Sequence, residues 1–304
     1  MIAIKTSNLT KIFGDNVAVN NLDLEVKKGE LYGLVGPDGA GKTTTMRLLV
    51  SIMEPTSGEA WVAGRSILTE GERIKEKIGY MSQRFGLYED LTVMENITFY
   101  ADLYEVPKRE RPARIERLLG FSNLTPFKDR LAGKLSGGMK QKLGLACALI
   151  HTPEVLFLDE PTNGVDPVSR RDFWRILYDL LNEGVTIFLS TAYLDEAERC
   201  TRIGLIDKGS ILIEDEPAKI KRSLKNPMFE LWLHDARSAV EVVRGIEGVR
   251  SVSIYGDRLH VSVNMRQMIE DINKEIGAKG IEIKGSREIL PSLEDVFISM
   301  VKKQ

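Results

Sequence analysis

A chain of 304 residues is long enough for two domains, each with its own core. Its 42 basic and 44 acidic side chains nearly cancel to a net −2, which gives no whole-chain reason to expect nucleic-acid binding. Apolar residues at 43% and charged residues at 28% make an ordinary soluble composition, no apolar run approaches the ~18 residues of a membrane-spanning helix, and Met1-Ile2-Ala3-Ile4-Lys5 does not resemble a secretory signal. Cys147 and Cys200 lack C-x-x-C spacing and read as inert reduced thiols rather than a disulfide or a metal pair.

In chain order, residues 2–9 and 17–26 alternate in the manner of strands, joined through the turn-rich Phe13-Gly14-Asp15-Asn16. Phe13 falls near where a base could stack, or it packs under its own turn; the sequence allows both. The apolar run Leu31-Tyr32-Gly33-Leu34-Val35 then leads into Gly36-Pro37-Asp38-Gly39-Ala40-Gly41-Lys42-Thr43, which fits G-x-x-x-x-G-K-[ST] and precedes the helical pattern that starts at Thr44. A strand ending in such a loop turns backbone N–H groups inward, and the helix N-terminus adds partial positive charge, so the loop makes a seat for polyphosphate. Glycines allow the turn and the close approach. Lys42 is placed to reach the β- and γ-phosphates, and the Thr43 hydroxyl to ligate Mg²⁺.

Residues 58–64 and 78–81 read as further strands, the second ending at Ser82-Gln83. Between about 84 and 134 the chain turns helical: Thr92-Val93-Met94-Glu95 is a capping box opening a helix to about 104, and residues 111–119 give a basic second one. Leu135-Ser136-Gly137-Gly138 starts another helix, with Ser136 as N-cap. Two glycines at a helix start leave N–H groups uncovered, which makes a second anion seat. Val155-Leu156-Phe157-Leu158-Asp159-Glu160 suits a parallel strand buried on both faces, with its two acids at the carboxyl end where open α/β sheets bind ligands. There Asp159 would hold Mg²⁺ and Glu160 polarise an attacking water; a solvated Asp-Glu turn is the plain alternative. Gly164-Val165-Asp166-Pro167 is a turn before a helix over 168–181, and residues 185–190 form the next buried strand.

Taken together these residues resemble the ATP-binding subunits of ABC transporters, most closely the single-domain subunits of ABC-2 type exporters, over about residues 1–225. The resemblance implies an α/β P-loop NTPase core with an antiparallel β subdomain and a helical subdomain at about 84–150, binding ATP and Mg²⁺ and hydrolysing the ATP. It makes Phe13 the base-stacking aromatic, Gly36 to Thr43 with Thr44 the nucleotide loop, and Gln83 a contact to Mg²⁺ and the attacking water. Leu135, Ser136, Gly137 and Gly138 match the family signature, Asp159 the metal acid, Glu160 the catalytic carboxylate, and Asp166 the acid that crosses the dimer interface. In this family two ATP molecules are sandwiched head to tail, so the signature would serve the ATP held by the other subunit.

Asp38 where Asn is common and Met139 where Gln is common are mild departures. The larger one is Ala192: the family's switch histidine should follow Ser190-Thr191, and the only histidines are His151, His234 and His260, with His151 expected in a surface loop. Alanine has no donor for developing charge, and losing one such donor typically costs on the order of 10²- to 10³-fold in rate. A weakened site that works best beside a second ATP-binding subunit or domain keeping the histidine is therefore expected, while the sequence allows a homodimer or a heterodimer.

A basic run, Lys219-Ile220-Lys221-Arg222, reads as a solvated linker, with contact to lipid headgroups as the other reading, and Pro227 marks a boundary, so domains are expected at 1–225 and 226–304. Beyond it the pattern is strand 229–233, helix 236–246, strands 249–255 and 259–263, a helix striped by Met265, Met268, Ile269, Ile272 and Ile276, and strand 281–284. That order suggests a small ferredoxin-like α+β module, and Ser292-Leu293-Glu294-Asp295 caps a last helix. The ending from Pro291 to Phe297 also resembles drug-exporter subunits. The expected setting is peripheral on the cytoplasmic face of the cell membrane, soluble when isolated, bound to a separate transmembrane permease, with no nucleic acid. A soluble ABC-type ATPase acting on nucleic acid or ribosomes is the alternative, disfavoured by the single motif set, the absence of heptads and the balanced charge.

Overall fold

In the computed structural model, which describes residues 1–83 and 86–301, β1 (Ile2–Phe13) and β2 (Asn16–Leu22) form the expected hairpin. Phe13 pairs with Asn16, so Gly14 and Asp15 make the turn, Gly14 at φ 57°. The stretch expected as one strand over 17–26 is two, because β3 (Glu25–Lys27) pairs with the opposite end of β1, Ile2 against Lys27. After β4 (Leu31–Val35) and α1 (Lys42–Leu49), β5 (Ser57–Val62) joins the free side of β1 and β6 (Arg65–Ser66) pairs with it. The short α2 (Gly71–Lys75) leads to β7 (Ile78–Met81).

The helical segment consists of α3 (Val93–Leu103), α4 (Arg111–Phe121) and α5 (Gly137–Leu149); its expected start at residues 84 and 85 lies outside the described residues. Thr92 and Glu95 cap α3 reciprocally, as the sequence pattern requires. Then follow β8 (Val155–Asp159), α6 (Pro167–Asn182), β9 (Thr186–Thr191), α7 (Leu194–Ala197), β10 (Arg202–Asp207) and β11 (Ser210–Asp215). The second sheet runs β11-β10-β4-β9-β8-β7, and β10 through β7 pair in parallel. Its central strands are buried along their whole length, which is why they read as continuous apolar runs. Tyr32 stacks on Phe188, and Phe157 meets Phe188 at a tilt, in the middle of this core.

The chain divides into Met1–Glu214 and Asp215–Gln304 rather than near residue 225. The reason is α8 (Pro217–Arg222): the basic run expected as a linker is a helix whose Ile220 is fully buried and which packs against α11 (Leu293–Val301) of the same unit. Within this unit β12 (Met228–Leu233), α9 (Ala236–Arg244), β13 (Val249–Tyr255), β14 (Arg258–Val263), α10 (Met268–Ala278) and β15 (Ile283–Ile289) follow in turn. The antiparallel order β13-β14-β12-β15 is that of a split β-α-β arrangement. Leu231, Leu233, Leu259 and Val261 meet Ala239, Val243, Ile272 and Ile276 in its core. Met265, expected on the buried stripe, is 60% exposed because α10 begins three residues later. Among the described residues no helix is long and apolar enough to cross a membrane.

Candidate functional site

Three adjacent strands of the parallel sheet end at one edge. Val35 of β4 pairs with Thr191 of β9, and Ser190 of β9 pairs with Asp159 of β8, so the phosphate-loop sequence, the end of β9 and the two acids emerge side by side. The loop is tied to the sheet by Gly36 N–H donating to Thr191 O at 3.2 Å. Two of its glycines have no room for a side chain: a Cβ on Gly36 would lie 2.2 Å from Ile206 O, and one on Gly41, at φ 103°, would lie 2.3 Å from Ala18 O. Gly41 is the residue before the first turn of α1, so its left-handed conformation sets the direction in which that helix N-terminus points.

Lys42 is buried, and its Nζ donates to Gly36 O at 2.8 Å and Pro37 O at 3.0 Å while pairing with Glu160 Oε1 at 3.0 Å. Asp38 Oδ1 is 4.0 Å away on an exposed side chain. Thr43 Oγ1 donates to Asp159 Oδ1 at 3.1 Å, and Ser190 Oγ donates to the same oxygen at 2.6 Å. Asp159 Oδ2 is buried with no hydrogen-bond partner. Burial pushes the Asp159 carboxyl above the usual carboxylate range, outweighing the hydrogen bonds from Ser190 and Thr43. Glu160 follows at φ 49°, a left-handed conformation that is strained for a side-chain-bearing residue. Its N–H is held by Ser190 O and Ser190 Oγ, both at 3.1 Å, and its Oε2 accepts from Gln83 Nε2 at 3.0 Å and Asn163 Nδ2 at 3.4 Å.

Lys42, Glu160, Gln83 and Asn163 line a cavity of about 460 Å³ together with Phe13, Asn16, Ala18, Asp38, Gly39, Gly41, Thr43 and Thr44, and Asp159 is hydrogen-bonded to Thr43 of that lining. Phe13 is 46% exposed at its mouth with Lys11 Nζ 5.2 Å from the ring, so it does not pack under its own turn. Ala40 is buried beneath the loop. Ser136, Gly137 and Gly138 are not among the residues lining this cavity. Ser136 caps α5 by accepting from Met139 N, and Gly138 abuts α6, where a Cβ would lie 2.4 Å from the Ser169 side chain. Leu135 is buried beneath that helix start. Asp166 caps α6 through Val168 N and Ser169 N, at 3.1 and 2.9 Å, and the Ser169 hydrogen bonds hold its carboxyl below the usual range.

Ala192 is exposed directly after β9, between the loop and Glu160 in strand order, and brings no donor there. His151 is not a loose surface residue: it stacks on Tyr104 with ring centroids 3.9 Å apart and its Nε2 lies 2.9 Å from Ile78 O. Sequence reasoning missed Ser190, Asn163 and Tyr193. Ser190 had a signal, since the penultimate residue of a buried strand beside the acid strand must face a carboxylate or waste its hydroxyl.

A family model described as ABC transporter matches residues 19–163, and one described as ATP-binding protein DrrA1-3-like, C-terminal domain, matches residues 216–301. The chain is 43% identical over 289 residues to the probable multidrug ABC transporter ATP-binding protein YbhF of Escherichia coli strain K12, covering 94% of this chain and 50% of YbhF, so it spans about half the length of that relative. It is 35% identical to the daunorubicin/doxorubicin resistance ATP-binding protein DrrA of Streptomyces peucetius, covering 98% of this chain and 92% of DrrA. Among solved structures it resembles a dimeric ATP-binding cassette in a post-hydrolysis state bound to ADP and Pi, with TM-score 0.65 and 27% identity over 70% of this chain and 98% of that one.

Proposed function

This chain belongs to the ABC transporter ATP-binding family, and from that premise we propose that it is the ATP-hydrolysing subunit of an exporter, peripheral on the cytoplasmic face of the membrane and coupled to a separate transmembrane permease. The observation that carries the reading is the convergence of Lys42, Thr43 and Glu160 on one cavity at the carboxyl edge of the sheet, with Asp159 hydrogen-bonded to Thr43 of its lining. Lys42 exchanges its loop carbonyls and Glu160 for the β- and γ-phosphates, which frees Glu160 to polarise the attacking water. Gln83 and Asn163 hold Glu160 from its other oxygen. The bare Asp159 Oδ2 and the Thr43 hydroxyl are hard oxygen donors that fit Mg²⁺, and Gln83, which lines the same cavity, would add its carboxamide oxygen. When bound, that ion supplies neutralisation of charge on the transferred phosphoryl group. Phe13 offers its exposed ring to the base.

Ser136, Gly137 and Gly138, off this cavity, serve the nucleotide of a second ATP-binding subunit, with Asp166 at the same interface. Because Ala192 contributes no donor, the site turns over slowly, and the chain works best opposite a subunit that keeps one. Steady-state turnover of the purified chain beside Ala192→His tests this. The variant is expected to gain on the order of 10²-fold at unchanged ATP affinity, and no gain refutes the weakened site.

A further inference from the structure

The end of β9 holds a second feature besides the missing donor. Tyr193, the residue after Ala192, turns its hydroxyl toward the acids: Tyr193 OH donates to Asn163 Oδ1 at 3.3 Å, and Asn163 Nδ2 donates to Glu160 Oε2 at 3.4 Å. We propose that Tyr193 is a positioning residue for the hydrolytic site, acting on Glu160 through Asn163 in a chain that has no side-chain donor at position 192. The proposal rests on the ATPase reading above and adds to it a connection, from Tyr193 through Asn163 to Glu160, that the motif readings do not draw.

A carboxamide can face a carboxylate with either end, and only the NH₂ end attracts it. The carboxylate, which can only accept, takes the NH₂ end, and that orientation turns Oδ1 toward Tyr193, whose hydroxyl donates to it and holds the amide there. The two bonds in series also polarise each other, and the carboxylate receives a stronger donor than a free amide supplies. Glu160 needs this support because Lys42 and Gln83 are its other partners, and Lys42 is claimed by phosphate during the reaction.

Tyr193 is itself held in place. Its N–H donates to Thr191 Oγ1 at 3.0 Å, and the Arg170 guanidinium lies 4.9 Å from the ring centroid. Arg170 is anchored by Glu196 at 3.7 Å and Asp195 at 3.8 Å, and the buried Glu196 accepts from Thr191 Oγ1 at 2.8 Å and from Thr162. Thr162 and Asn163 lie in the segment between β8 and α6, so one network joins the start of α6, the end of β9 and the carboxylate.

Steady-state kinetics of the full chain with Mg·ATP test this, using Tyr193→Phe, Asn163→Ala and the double variant. Removing the hydroxyl alone is expected to lower kcat roughly fivefold, the size of one modest hydrogen bond, with KM for ATP unchanged. In the Asn163→Ala background Tyr193→Phe should cost nothing more, because the connection is already cut. A Tyr193→Phe chain with wild-type kcat, or one that loses the full factor again in the Asn163→Ala background, overturns the positioning role while leaving the ATPase reading intact. A wild-type chain with no turnover overturns both.

Discussion

In the first unit Lys42, Thr43 and Glu160 line a cavity, and Asp159, hydrogen-bonded to Thr43, keeps one buried oxygen without a donor, whereas the charged cluster of the second unit closes on itself. There Glu230 accepts from Arg258 at 3.0 Å and Arg287 at 2.9 Å, and Asp295 is taken up by His260, Tyr255 and both the N–H and hydroxyl of Ser292. The two buried aspartates consequently shift in opposite directions. Burial lifts Asp159 despite its two hydroxyl partners, while His260 and Ser292 overcome the burial of Asp295 and hold it low. A buried acid that is still short of positive partners marks a place where a cation or phosphate-bound metal can be received; one whose oxygens are all used marks a structural joint.

The largest effect is expected where the open cluster is disturbed. Lys42→Ala removes the buried ammonium that balances Glu160 and would meet phosphate, and turnover should fall on the order of 10³-fold with ATP affinity lowered as well. Nucleotide titration and steady-state assays check both, and a variant that keeps its affinity would separate Lys42 from phosphate.

The closed cluster should respond in stability instead. His260 is partly buried, which alone would lower its pKa, but Asp295 and Glu230 raise it above the usual value. A raised histidine stabilises fully below about pH 6.5, its unfolded value, and that contribution disappears as pH rises through the folded pKa. The lowered Asp295 stabilises above about pH 3.9 and loses its contribution as pH falls through its folded pKa. Between those limits His260→Gln should cost about 2 kcal/mol in urea unfolding of the full chain, and the gap should close toward pH 9. ATP turnover of His260→Gln should match wild type. A gap that persists at high pH would contradict the charged pairing.

The contrast also explains what could be seen in the sequence. The loop from Gly36 to Thr43 was legible because its chemistry dictates residue types at fixed spacing, and the run from Val155 to Asp159 because burial on both faces leaves an unmistakable apolar block. From β12 onward the second unit's order of elements was legible from periodicity together with turn and cap residues. Contacts between residues far apart in the chain were not. His151 does lie in the loop before β8, but it looked like a surface residue because Tyr104 and Ile78, which cover it, lie 47 and 73 positions away in sequence. The run Lys219 to Arg222 looked like a linker because its lysines and arginine outnumber its one buried residue, Ile220, although the helix they belong to packs against α11. Tyr193 was invisible for the same reason: its partner Asn163 is 30 residues earlier, and a tyrosine beside a missing histidine carries no spacing rule.

Glu160→Gln, measured for ATP binding and for turnover in the same preparation, tests the central claim most directly, since it keeps the shape of the side chain and removes only its charge and basicity. ATP affinity equal to wild type with turnover lower by on the order of 10³-fold is the predicted result. A Glu160→Gln chain that hydrolyses ATP at the wild-type rate would contradict the placement of catalysis at this strand edge.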